Sequence, residues 1–467
     1  MAALKDAPQL RILCVDFADP GSRSWDTVHL ALQKQKMTNT GAKALAGLKE
    51  APQLRASFHL SGGYISDAGT EALAGLTLAL ASQLHTLHLN LARNGITDTG
   101  AEALAGLKEA SQLHTLHLNL ARNRITDTGA EALAGLKEAL LHTLHLNLTE
   151  NSGITDAGCH ALAAFNEAPQ LRNLFLDLSL QSRCDADEIT DAGAHALAGL
   201  KEAPQLHTLH LDLSHRKITD AGAQALAGFK EAPQLRNLRL DLACSRITDA
   251  GAQALAGLQG ALRLHTLHLG LRSLRGRNGR HMLTDAGCHA LTALKAAPQL
   301  HTLHLDLAAN CIGDAGAHAL AGLKGAPKLC TLHLDLDSNN IEDGGARALA
   351  TLKENPRLHN LCLNLAGSDI MDAGAGAIAT LMEAPQLRTL CLDLSSCGLT
   401  DAGAEAIVAK APQVQKLELI LDGNQITDAG AQALFLAQAL TPQLQVSLKY
   451  RILQDLTGSW IRISDLL

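Results

Sequence analysis

Leucine falls at every second position over short stretches of this chain, and the residues between the leucines are polar. In Leu206–Ile218, LHTLHLDLSHRKI, the alternating leucines are Leu209, Leu211 and Leu213. A period of two marks a half-buried strand, with one face packed and the other solvated. The next residues, TDAGAQALAG, change the rhythm to that of a helix. Thr219 or Asp220 is placed to cap it, Leu226 faces inward, and Gly222 with the many alanines permits close approach of the helix to the strand layer. The turn EAPQ follows, where Pro233 stops the helix. One strand and one helix per unit predict parallel strands stacked side by side.

The unit recurs with little change. Ser82–Ala110 is followed at once by Ser111–Ala139, which differs only in having Arg124 where the first copy has Gly95. One glycine marks each unit from Gly41 to Gly430, and eight of the thirteen intervals between marker glycines are 29 residues. The intervals ending at Gly193 and Gly287 are 35 and 36 residues, so each holds an insertion. Such self-similarity overrides the two or three globular domains that 467 residues ordinarily suggest, and predicts a solenoid. The expected divisions are a partial first repeat with an irregular insertion over 1–40, a solenoid of about 13 to 14 units over 41–448, and a cap over 449–467 containing Trp460. The opening LKDAPQLRILCVDF, Leu4–Phe17, matches the repeat tail LKEAPQLHTLHLDL. The chain thus starts inside a unit, which reads either as a fragment of a longer protein or as a first unit that makes a poor lid.

The unit L-x-x-L-x-L-x-x-N-x-I-T-D-A-G-A-x-A-L-A resembles the ribonuclease-inhibitor type of leucine-rich repeat, over about Leu4 to Leu448. The resemblance implies an α/β horseshoe with a parallel concave sheet and convex helices. It implies protein–protein interaction as the general role, with binding at the concave face and its strand-to-helix loop edge. Two features depart from the family pattern. The strand carries a third leucine (Leu116, Leu118 and Leu120), and the helix is about one residue shorter. The asparagine of the turn stands at Asn94, Asn123, Asn310, Asn339 and Asn424, but Arg216, Ser245, Ser368 and Cys397 replace it elsewhere, which predicts a looser turn in those units. The same repeat type occurs in Ran GTPase-activating proteins, so a regulator of a small GTPase is an alternative, although their catalytic arginine or asparagine cannot be placed here. A third reading is the ligand-sensing or adaptor part of a larger receptor or ubiquitin-ligase chain.

Composition narrows these choices. Aromatics are 2% of residues, so leucine and alanine do the packing. A net charge of −7 excludes an overall basic nucleic-acid binder. Ten scattered cysteines without a C-x-x-C pair read as reduced thiols, which places the protein in the cytoplasm or nucleus. No signal peptide is evident, and no apolar run reaches the roughly 18 residues of a membrane span. Phosphate-loop, H-E-x-x-H and G-x-S-x-G motifs are absent from the sequence. The expectation is a monomer that binds protein, without enzymatic activity, cofactor, membrane or nucleic-acid partner.

Strand alternation exposes three polar columns. The first is mostly threonine or asparagine. The second is mostly histidine: His88, His117, His145, His210, His268, His304 and His333, interrupted by Phe175, Arg239, Cys362, Cys391 and Glu418. The third is acid or amide, with Asp177, Asp212, Asp241, Asp306 and Asp335 among its members. Three readings of the histidines stand: solvated consensus copied by duplication, a metal site, or recognition tuned by pH. The stacked aspartates repel one another unless Arg239, the histidines or a basic partner compensates. The insertions are acidic over Ser179–Thr190 and basic over Arg272–Thr284, the latter through Arg272, Arg275, Arg277 and Arg280. The candidate partner-binding residues are therefore Phe175, His210, Asp212, Arg239, Asp241, His304, Asp306, His333 and Asp335, together with the four arginines of the second insertion.

Overall fold

Each repeat becomes one strand followed by one short helical run in a computed structural model, which describes residues 28–31, 56–59, 64–79, 84–180, 189–273, 282–410, 414–440, 444–447, 453–454 and 460–461. The chain divides into two compact units, Met1–Arg246 and Ile247–Leu467. In the first, parallel strands follow one another in sequence order from Val28–Ala31 to Asn237–Asp241. In the second they run from Thr266–Gly270 to Leu444–Ser447. A two-residue antiparallel pair, Leu453–Gln454 with Trp460–Ile461, is what the structure describes of the expected 449–467 cap. The residues of the two insertions at 181–188 and 274–281 lie outside the described residues, and so do Arg275, Arg277 and Arg280.

The alternation of leucines sets the register. Leu116 pairs with Leu144 and Leu118 with Leu146, so like stands beside like from strand to strand. A slip of one residue would turn a whole leucine column into water. Leu209, Leu211 and Leu213 are fully buried, so the third leucine is a core residue like the other two. Each side chain of this kind contributes about 1.5–3 kcal/mol of burial. Opposite the leucines, the helices present Ala101 and Leu104, or their equivalents, also fully buried. Alanine on that face lets the helical layer come close, which is why so few aromatics are needed.

The short helix of the sequence pattern is two helices in tandem. Asp220–Leu226 is α-helical, and Ala227–Glu231 continues as a 3₁₀ turn before Pro233. The narrower 3₁₀ turn aims one large residue back into the core, Leu107 or Leu136 in some units and Phe165 or Phe229 in others. Thr219 caps the α-helix, its Oγ1 accepting a hydrogen bond from the Ala221 amide at 3.3 Å. On the outer surface Lys108 reaches Glu138 at 2.7 Å and Lys137 reaches Glu167 at 2.6 Å, joining successive units. These pairs are exposed and screened by solvent, so they add little to stability.

The marker glycine makes a different close approach from the expected one. Its neighbour is the carboxylate of the preceding unit's first helical aspartate. Asp127 Oδ1 accepts from the Thr155 amide at 2.7 Å and the Gly158 amide at 2.8 Å, while Oδ2 accepts from Thr155 Oγ1 at 2.7 Å. A Cβ on Gly158 would stand 2.6 Å from Asp127 Oδ1 and 2.8 Å from Ile154 Cγ2. The same clamp joins Asp98 to Thr126 and Gly129, Asp191 to Thr219 and Gly222, and Asp372 to Thr400 and Gly403. It satisfies amides of the first helical turn that have no partner within the helix, and it places a negative charge at the positive end of the helix.

A second ladder runs through the turn asparagines. Asn123 Nδ2 donates to the Leu91 and Leu120 carbonyls at 3.0 and 2.9 Å, and its Oδ1 accepts from the Ile96 amide at 3.1 Å. Asn151, which the sequence pattern did not assign, belongs to the same ladder and is fully buried. The exceptions divide into two kinds. Arg216 Nε donates to the Leu178 carbonyl at 2.6 Å, and Cys397 Sγ to the Leu365 carbonyl at 3.2 Å, so another donor takes over and those turns are held. At Ser245 and Ser368 the short hydroxyls are buried without a hydrogen-bond partner, and only there does the expected loosening have a physical basis. The residue before the ladder position has positive φ, as at Arg93 (59°), Ala309 (56°) and Gly367 (63°).

Two substitutions test this account. Gly158→Ala drives a methyl into the clamp and is expected to destabilise by about 2–3 kcal/mol. Gly135→Ala, where a Cβ meets nothing within 4 Å, is expected to stabilise by about 0.5–1 kcal/mol. Urea unfolding of both variants checks the opposite signs. Ser368→Asn restores the missing rung and is expected to raise stability by about 1 kcal/mol, read from the same denaturation curves.

Candidate functional site

The polar face of the strands is where the candidate residues lie, because alternation sends every non-leucine side chain of a strand to that face. In the first unit the histidine column is a continuous stack. His88 and His117 have ring centroids 4.0 Å apart, His117 and His145 3.8 Å, and His145 and Phe175 3.7 Å, all nearly parallel. Phe175 then meets His210 edge to face at 6.0 Å. Phe175 therefore extends the column that the sequence pattern shows it interrupting. A shallow groove of about 340 Å³ runs along these rings, with Asn90, Asn119, Asn147 and Asp177 on its other side.

Burial, more than stacking, sets the charge of the column. Burial, and then the neighbouring histidines, push His117 and His145 down to about 4. His210 is lowered by burial and by Arg239, and its Nε2 is buried without a hydrogen-bond partner. At about 4, His117 and His145 lie below the near-neutral range that recognition tuned by pH calls for. The metal reading also lacks its geometry: among the described residues no group of three or more His, Cys, Asp or Glu side chains is placed to hold an ion.

The third column is where charge accumulates. Asp177, Asp212 and Asp241 stand in register on neighbouring strands. Ser214 Oγ lies 2.6 Å from Asp212 and 2.9 Å from Asp241, so its single proton serves one carboxylate at a time. Arg239 reaches Asp241 at 3.4 Å from an exposed position. Asn147 Nδ2 donates to Asp177 at 3.2 Å. The compensators are thus Ser214, Arg239 and Asn147, and the lowered histidines are not among them. Compensation is incomplete: burial first, then the Asp241 and Asp177 charges, raises Asp212 to about 6. Beside this column a second hollow of about 400 Å³ has Arg93 and Arg122 along with Asp177 and Asp212.

The second unit carries a smaller version of the same face. His304 and His333 stack at 3.9 Å, and His268 and His304 at 5.4 Å. Asp306 and Asp335 are in register, and burial raises Asp335. Arg272, the described arginine of the second insertion, pairs with Asp337 at 3.0 Å. The sequence reading did not single out Asp337. Nor did it single out a flanking row of histidines just before the strands, in which His114 and His142 stack at 4.8 Å and His265 and His301 at 5.3 Å. Their signal was present in the recurrent Leu-His-Thr-Leu, hidden by its regularity. Further along the second unit, Cys362 and Cys391 stand in register on the same face.

The described residues hold no helix long and apolar enough to cross a membrane. No curated protein sequence matches the chain. Among solved structures, an internalin (inlF) from Listeria monocytogenes is similar at 19% identity and a TM-score of 0.45, over 88% of this chain and 94% of that one. The Rad7 and Elc1 complex of yeast is similar at 17% identity and a TM-score of 0.45, over 92% of this chain and 94% of the matched one. A leucine-rich repeat family model matches nine segments, 83–105, 112–134, 141–163, 205–227, 234–256, 299–321, 328–350, 390–408 and 415–435. These nine segments are leucine-rich repeats.

Proposed function

We propose that this protein is a binding scaffold whose strand face takes a basic segment of a partner protein, without chemistry of its own. The observation that carries the reading is Asp212, a carboxyl held between Asp177 and Asp241 and raised to about 6. A carboxyl raised in the folded state lowers stability as pH rises from its ordinary range, near 4, through about 6. In the free protein its charge at neutral pH is therefore a net cost. A lysine or arginine from a partner removes that cost, so the strain becomes affinity and draws the partner in by long-range attraction. The groove along His88–Phe175 supplies the apolar surface beside it, with Phe175 as the one large anchor. Asp306 and Asp335 with His304 and His333 offer a second stretch of the same chemistry in the other unit, and Arg239 and Arg272 set the margins where a basic partner is turned away.

The test uses lysine- and arginine-rich peptides, and a partner recovered with the wild-type chain, titrated at low and high salt. Asp212→Asn combined with Asp241→Asn is expected to weaken binding about tenfold or more and to flatten the salt dependence, while leaving the free protein at least as stable at neutral pH. Lowering the pH from about 7.5 to about 5.5 protonates Asp212 and weakens binding in the same direction. His117 and His145, at about 4, stay neutral over that range. Equal affinity of wild type and double variant at both salt concentrations sinks the reading. Separately, Phe175→Ala is expected to weaken the same binding by about tenfold, measured by calorimetry on a variant whose circular dichroism is unchanged.

A further inference from the structure

The second-column positions in the second unit pass from histidine to cysteine to glutamate: His333, Cys362, Cys391 and Glu418 stand in register on four neighbouring strands. Cys362 and Cys391 are therefore the same position in adjacent units, on the polar side of the sheet, and both are partly exposed. Neighbouring strands lie about 4.8 Å apart, within the roughly 4.4–6.8 Å that a disulfide spans between Cα atoms. Cys391 Sγ points at Glu418 Oε2 at 3.8 Å.

We propose that Cys362 and Cys391 are a dithiol modification site for a hydroperoxide, with Cys391 as the sulfur that is oxidised first and Cys362 as the sulfur that resolves it. The Cys391 thiol gives its proton to solvent, and its thiolate attacks one peroxide oxygen. The O–O bond breaks, the leaving oxygen takes up a proton, and Cys391 is oxidised to a sulfenic acid as the peroxide is reduced. Cys362 sulfur then attacks the sulfenic sulfur, the S–O bond breaks, and the hydroxide leaves as water with the Cys362 proton. In sum two thiols and a hydroperoxide give one disulfide, water and an alcohol, or two waters when the oxidant is hydrogen peroxide.

The order of attack follows from the surroundings. The neighbouring Cys362 thiol favours a thiolate at Cys391, and Lys416 adds to this, while burial and Glu418 oppose. Cys362 is raised by its Cys391 neighbour and by burial, so it keeps its proton until the second step. Five other described cysteines are differently placed. Cys159, Cys288 and Cys397 are buried, and burial pushes Cys288 and Cys397 up to about 12. Cys311 is exposed beside Met282 Sδ at 3.5 Å, and Cys330 donates to the Lys328 carbonyl at 3.3 Å. None of these stands in register with another cysteine.

The site is independent of the partner-binding reading and is tested without a partner. The full chain is treated with hydrogen peroxide, its remaining thiols are alkylated, and it is digested without reductant for mass spectrometry. The expected result is a Cys362–Cys391 disulfide that a dithiol reductant reverses, formed at a dose that leaves Cys311 and Cys330 alkylatable. In Cys362→Ser, Cys391 is expected to accumulate as a sulfenic acid and to take a dimedone label about tenfold faster than Cys311. Recovery of both cysteines as separate alkylated peptides overturns the proposal, and so does dimedone labelling of Cys391 no faster than that of Cys311 in Cys362→Ser.

Discussion

An aspartate carboxylate that reaches from one repeat into the next is the contact on which the regularity of the fold depends. A solenoid unit packs only against its neighbours, so each junction must satisfy its own polar groups. The first amides of every helix lack partners, and the aspartate of the preceding unit supplies them. This explains the motif Thr-Asp-x-Gly as one device. Threonine offers an amide and a hydroxyl, glycine an amide with no side chain in the way, and aspartate the acceptors for the following unit. Where threonine is replaced by Gly313, Glu342 or Met371, the backbone amide still donates to the carboxylate of the preceding unit. The hydroxyl bond is the dispensable member; the glycine is not.

The strands, their parallel order and the buried leucines were legible because the pattern that signals them lies within a single unit. The ladders were not, because their partners lie a full unit apart. Asp127 reads locally as an acid in a helical first turn, and Lys137 as part of a charged turn; neither reveals from sequence that its partner is about 30 residues on. Asn151 escaped because one extra residue between it and Ile154 breaks the Asn-x-Ile pattern that marks the turn elsewhere. On the polar face, the alternation correctly placed Phe175, His210, Asp212 and Asp241, but their electrostatic state depended on stacking and burial. Burial first, and then imidazoles about 4 Å away, lowers His117 and His145 to about 4, while burial raises Asp212 to about 6.

The polar face is also where the repeat tolerates disagreement with its own stability. The leucine and alanine positions admit little beyond themselves. The outward columns pass from imidazole to phenyl, guanidinium, thiol and carboxylate without disturbing the register of the strands. The scaffold thus separates two kinds of residue: those that hold one unit to the next, and those that set what the surface meets. Asp212 and the Cys362–Cys391 pair both belong to the second kind, in different units.

The empty rung at Ser368 has a consequence for how the chain opens. In a linear array each unit is coupled to two neighbours, and cooperativity is only as strong as the weakest coupling. With the buried hydroxyl of Ser368 unpartnered, that junction holds its neighbours together less tightly than those on either side. A fluctuation that loosens a unit past this point meets little resistance until it arrives there, and then it halts. The described residues beyond 368 thereby form a block that can exchange its amides and recover while those just before it remain closed, and the empty rung at Ser245 marks a second seam of the same kind.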